Sequence, residues 1–152
     1  MIRDDIKAAL VSAMKSGDKA ATATLRLVQS ALKNRDIELR GASGPPIEDD
    51  VLVAEVLQKM IKQRRESVAL YEQGGRQELA DSESAEIAVI EGFLPQQMSE
   101  EEAKAAIDAI VVETGAASVK DMGRVMAALK ERHAGRMDMS KASGLVKARL
   151  SA

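Results

Sequence analysis

Cysteine is absent from the chain, and aromatic residues are scarce: Tyr71 and Phe93 are the whole supply. Without cysteine there is no disulfide framework, no thiolate nucleophile and no thiolate metal site. Two aromatics, both placed where packing explains them, give no row of platforms for stacking single-stranded bases. His133 is the single histidine, so the zinc motif HExxH cannot be assembled. No uninterrupted apolar run approaches the roughly 20 residues that cross a bilayer. The opening MIRDDIKAALVSAM carries acids early and lacks a long apolar centre, so it does not read as a secretory signal. A soluble, cytoplasmic protein is the expectation. Neither sign of charge dominates: 24 acidic residues stand against 22 basic ones, so the whole chain exerts no electrostatic pull on nucleic acid.

What is abundant is the set of strong helix formers, alanine, leucine, methionine, glutamate, lysine and arginine. The 152 residues are enough to bury a real core, and only three prolines interrupt them. An all-α fold follows. Apolar residues at helical spacing mark a first helix (Ile2, Ile6, Ala9, Leu10, Ala13) stopped near Gly17. Asp18 can cap a second, with Ala21, Leu25, Val28, Leu32 and Leu39 on one side. The run from Gly41 to Pro46 breaks it. A third helix carries Val53, Leu57, Met60, Ile61, Val68 and Tyr71, ends at Gly74-Gly75, and is followed by a short fourth from Ser82 through Ile87 and Ile90.

Pro95 disfavours helix at Leu94, and Ser99 to Glu102 is a capping box. The expected organisation is therefore two helical subdomains. Residues 1–94 form a bundle of about four helices. Residues 95–152 form a three-helix unit striped by Ala103, Ile107, Ile110 and Val111, by Met122, Val125, Met126 and Leu129, and by Ala142, Val146 and Leu150.

On the third helix, Arg64 falls in the middle of the apolar arc, and a guanidinium there needs a carboxylate. On the fourth, Glu83 shares the arc of Ile87 and Ile90. A structural Arg64–Glu83 ion pair is expected, with Asp36 as a spare acceptor. The other cations of this stretch, Lys59, Lys62, Arg65 and Arg76, are interleaved with Glu55, Glu66, Glu72 and Glu78, the pattern of a solvated face. Gly74-Gly75-Arg76 lacks the lysine and strand context of a nucleotide loop.

KQRRESVALYEQGGR (62–76), ELADSESAEIAVIEGFLPQQMSEEE (78–102) and LRLVQSALKNRDIEL (25–39) together resemble the YqeY family of small bacterial proteins, over essentially the whole chain. Such proteins are in turn similar to the tail domain of GatB, a subunit of the tRNA-dependent amidotransferase, a carbon–nitrogen ligase with glutamine as amido-nitrogen donor. Here DMGRVM (121–126) and AGRMDMSKASGLVKARL (134–150) carry that second likeness. The resemblance implies a tail that helps to bind the tRNA body. The catalytic cradle of the amidotransferase has no counterpart in the chain, and none of its active-site residues can be carried over.

Charge placement offers separate support. Residues 120–152 hold eight basic residues against three acidic ones, a surplus of five. Lys120, Arg124, Lys130, Lys141 and Lys147 are the candidate RNA contacts, holding the sugar-phosphate backbone by displacing counterions. Free N–H groups at the start of the last helix, near Ser140, could add a phosphate contact. An ordinary basic surface is the alternative. Gly123 is read as a close packing contact or a point of phosphate approach, Gly135 as a helix stop and Gly144 as a packing contact.

No catalytic residue, metal ligand or cofactor is expected. His133 falls at a helix C-terminus, where capping or packing explains it. The clusters Glu48-Asp49-Asp50 and Glu100-Glu101-Glu102 fall at helix starts, and no serine has an obvious partner base. Three functions stay open. The first is a non-catalytic accessory protein binding tRNA or a tRNA-handling complex. The second is a protein-interaction module, using the groove between the subdomains or a methionine surface (Met122, Met126, Met137, Met139). The third is participation in tRNA-dependent amide transfer.

Overall fold

The computed structural model describes residues 1–133 and 135–151; Ala134, with which the last matched stretch begins, and Ala152 lie outside them. Among the described residues there are seven α-helices, one 3-10 turn and no strand. Contacts gather into two units, Met1–Leu94 and Pro95–Ala152.

The first unit holds α1 (Ile2–Ser16), α2 (Lys19–Arg40), α3 (Asp49–Gln73) and α4 (Gln77–Glu91). Local chemistry sets the α1–α2 corner. Gly17 adopts the left-handed conformation (φ 75°) that ends α1, and the Asp18 carboxylate accepts from the Ala21 N–H to start α2. The first half of α3 is apolar nearly all round, with Leu52, Val53, Ala54, Val56 and Leu57 all buried, so it sits inside the unit rather than on its surface. Ile6, Leu25, Val28, Leu32 and Ile90 close over it from the other three helices. Beyond Ile61, α3 runs out towards solvent: Val68 and Tyr71 are only half-buried, and Leu70 is exposed.

Arg3 ties three of these helices together. Its guanidinium donates to both carboxylate oxygens of Asp49 at the start of α3 (2.9–3.2 Å) and to both of Asp36 late in α2 (3.1 and 3.2 Å). Asp50 accepts from the Ile2 N–H at 3.0 Å. The Arg3 hydrogen bond holds Asp49 below the ordinary carboxylate range, against the opposing effect of burial. Asp36 is thus a partner of Arg3, not the spare acceptor expected for Arg64. The first-turn acids of α3 fasten α1.

Helix α4 begins at Gln77, five residues before the Ser82 expected from the sequence. The reason lies in the turn. Gly75 takes the left-handed conformation (φ 72°), the Arg76 N–H donates to the Tyr71 carbonyl at 2.8 Å, and the helix restarts at once. Arg76 then bonds Glu78 in the first turn. The earlier start comes with a hairpin in which Arg64 and Glu86 stand equally far from Gly75, eleven residues before and eleven after it. Arg64 Nε donates to Glu86 Oε2 at 3.1 Å. The expected partner, Glu83, is almost one helical turn nearer to the Gly75 turn.

The second unit holds α5 (Glu100–Thr114), a 3-10 turn (Val119–Asp121), α6 (Met122–Arg132) and α7 (Met139–Ser151). The capping box at the start of α5 is formed in both directions: Glu102 N–H to Ser99 Oγ, and Ser99 N–H to Glu102 Oε1. Gly115 ends the helix in the left-handed conformation. Ile107, Ile110, Val111, Val125, Leu129, Met137, Val146 and Leu150 form the core. The stretch before α5 is stitched to the α6–α7 connection. Gln97 Nε2 donates to the Gly135 carbonyl, the Met98 N–H to the Arg136 carbonyl, and Arg136 Nε to the Gln96 carbonyl.

Candidate nucleic-acid interface

The basic residues of the second unit divide by type. Its four arginines are held by acids or carbonyls. Arg124 donates to Asp121 at 2.7 Å and to the Thr114 carbonyl at 3.3 Å. Arg132 bonds Glu113, Arg149 bonds Asp108 at 2.8 Å, and Arg136 takes the Gln96 carbonyl. Asp121 is pushed down to about 2, chiefly by the Ala117 N–H, then by Arg124 and the Ser118 N–H. Hydrogen bonding to Arg132 lowers Glu113 and raises its partner. Arginine's planar fork suits such bridging, so these four cations serve the fold before any ligand.

Among the lysines, Lys104 pairs with Glu100 at 3.2 Å, and the four from Lys120 onwards are different. Lys120, Lys130, Lys141 and Lys147 are all exposed. Lys130 has an interaction of its own. For Lys120, Lys141 and Lys147 no carboxylate stands within ion-pair distance among the described residues. The five expected contacts therefore come together only in part: Arg124 is committed to Asp121, and Arg124 and Lys130 stand about 120° apart around α6.

Counted over the whole unit, residues 95–152 carry nine basic and eight acidic residues, a surplus of one. The surplus of five over residues 120–152 is largely balanced by α5, whose five acids, Asp108 and Glu113 among them, stand against one lysine. Positive potential must therefore be sought on one face rather than in the unit as a whole.

That face belongs to α7. At 100° per residue, Ser140, Lys141, Gly144, Lys147, Ala148 and Ser151 fall within an arc of about 120°, opposite the buried Ala142, Val146 and Leu150. All six are exposed, and α7 contains no acidic residue. Gly144 lies midway between the two lysines, and a Cβ built on it meets no atom within 4 Å. The expected packing role of Gly144 is thus replaced by open space. The same holds for Gly123, which lies beside Lys120 and Arg124 and also faces open space. A helical periodicity count over 140–151 would have found this face; grouping by net charge concealed it.

Three further expectations are resolved. The Ser140 N–H donates to Asp138 Oδ1 at 2.8 Å, so a side-chain oxygen already occupies this donor at the start of α7. His133 ends α6, with its N–H on the Leu129 carbonyl and its Nδ1 buried. Met137 is buried, and Met122, Met126 and Met139 pack against the same core, so the four methionines form no exposed surface.

A family model described as "Yqey-like protein" matches residues 3–150. Among curated proteins, an uncharacterised protein of Schizosaccharomyces pombe, C22F3.15, is 32% identical over 94 residues, covering 62% of this chain and 72% of its own length. Altered inheritance of mitochondria protein 41, mitochondrial, is similar in two further fungi. The protein from Pyrenophora tritici-repentis is 28% identical over 134 residues (84% of this chain, 70% of the relative). That from Kluyveromyces lactis is 31% identical over 111 (71% and 55%). These relatives are fungal, whereas the motifs had suggested a bacterial setting. No helix among the described residues is long and apolar enough to cross a membrane. With its match running from residue 3 to residue 150, the chain belongs to the YqeY family.

Proposed function

We propose that the chain is a non-catalytic accessory protein that binds tRNA, or a complex handling tRNA, through the outer face of α7 and the neighbouring Lys120. One observation carries this reading: Lys141 and Lys147 flank an unfilled glycine on a helix face free of acidic residues. An RNA strand can approach such a helix closely, because Gly144 presents no side chain between the two ammonium groups. Phosphates neutralised there release counterions, which drives binding without reading bases. The scarcity of aromatics agrees with a backbone-directed contact. The likeness of residues 121–126 and 134–150 to the GatB tail points to the same class of ligand. Amide transfer, in this reading, belongs to a partner that carries the cradle. The reading sets this chain in the cytoplasm; the word mitochondrial in the relatives' names describes those fungal proteins.

The test is filter binding of purified tRNA to the parent chain and to a variant with Lys120, Lys141 and Lys147 changed to glutamine. A loss of about tenfold or more at low salt is expected, since each neutralised phosphate contributes to affinity. Equal affinity of the two proteins would overturn the reading. A cellular partner retained after nuclease treatment, without RNA binding, would favour a protein-interaction module instead.

A further inference from the structure

A second cationic surface lies in the first unit, where nothing in the RNA reading uses it. On α2, Arg26, Gln29, Ser30 and Lys33 are spaced three and four residues apart, so they share one stripe. On α1, Arg3 and Lys7 do the same. The two stripes wall an open groove of about 510 Å³. Ile6 and Leu32, both buried in the core, supply its apolar lining.

The charges in this groove are not balanced. Arg3 is satisfied by Asp36 and Asp49. Lys7, Arg26 and Lys33 are exposed, with no carboxylate at ion-pair distance among the described residues, although Lys7 also feels the charge of Asp49. Four cations against two carboxylates leave a local surplus of two. One phosphate group at neutral pH carries a charge of about −1.5 to −2, so a phosphorylated molecule neutralises that surplus in full. The Arg26 fork can bond two phosphate oxygens at once, and Lys7 and Lys33 add point charges on either wall. Gln29 and Ser30 supply neutral hydrogen-bonding groups, and the apolar lining suits a ring or alkyl portion. The volume is that of a small-molecule site.

We propose that the α1–α2 groove binds a small phosphorylated molecule, of the size of a nucleoside diphosphate, with its phosphates held by Lys7, Arg26 and Lys33. The same phosphate chemistry occurs along an RNA strand, and the experiment separates the two sources. The isotope-labelled full chain is titrated by NMR with inorganic pyrophosphate, with ADP and with a short RNA oligonucleotide. Saturable shifts of α1 and α2 amides with pyrophosphate or ADP are expected. The double variant Arg26→Gln, Lys33→Gln should bind at least tenfold more weakly while keeping its circular dichroism spectrum. The variant Lys141→Gln, Lys147→Gln should bind ADP like the parent, which keeps this site distinct from the α7 face. Shifts that do not saturate, affinity unaffected by the Arg26 and Lys33 changes, or RNA binding in the groove without pyrophosphate or ADP binding would each overturn the proposal.

Discussion

Arg64 and Glu86 meet across the α3–α4 hairpin, Nε to Oε2 at 3.1 Å, with the arginine side chain 14% exposed and the glutamate 28%. Arg64 also donates to the Met60 carbonyl one turn back on its own helix. A partly buried, hydrogen-bonded pair of this kind costs more to break than a surface pair and less to break than a fully buried one. Glu86→Ala should therefore destabilise the protein by about 1–3 kcal/mol in urea unfolding. Glu83→Ala should stay within about 0.5 kcal/mol of the parent. Reversal of that order would mean the hairpin is in a different register.

Acid should weaken the fold through Asp49 and Asp121. Both carboxylates titrate below their ordinary range in the folded chain, Asp121 at about 2. The unfolded chain therefore binds protons first as pH falls. The stability these groups provide is complete above an unfolded-state pKa of about 3.9 and is lost as pH drops towards 2. Thermal melts at pH 7, 4, 3 and 2 should show most of the loss below pH 4. Asp121→Asn should flatten part of it, because the amide oxygen still accepts from Ala117 and Ser118 but no longer titrates.

Gly123 and Gly144 separate stability from binding. Both occupy helices with room for a side chain, so alanine at either position should raise stability by about 0.5–1 kcal/mol. If Gly144 lets a phosphate strand come close to α7, Gly144→Ala should weaken tRNA binding while raising the melting temperature. A variant that is both more stable and fully competent for tRNA would remove the glycine from the interface.

The capping box supplies a local control. Ser99→Ala removes the acceptor for the Glu102 N–H and should cost about 1 kcal/mol, measured by chemical denaturation.

The contrast among these sites shows what the chain reveals by itself. The end of α1 and the starts of α2 and α5 were legible because Gly17, Asp18, Ser99 and Glu102 act on backbone groups within a few residues. Glu86 was not legible as the partner of Arg64, because the register depends on where α4 restarts after Gly75. The pairing of Arg132 with Glu113 and of Arg149 with Asp108 spans 19 and 41 residues. No local pattern announces it, yet it decides which cations remain for a ligand. Segment charge alone pointed to all five basic residues. Of those five, folding leaves Lys120, Lys141 and Lys147 with no carboxylate at ion-pair distance among the described residues, and places the last two astride Gly144.

The most direct measurement is the dependence of tRNA affinity on salt concentration, compared between the parent chain and the Lys120, Lys141, Lys147 to glutamine variant. Each phosphate neutralised on a duplex contributes about −0.9 to the slope of log K against log salt. The parent should show a clear negative slope that becomes shallower by about 2–3 in the variant. A slope near zero in the parent, or the same slope in both proteins, would contradict binding of an RNA backbone by this helix face.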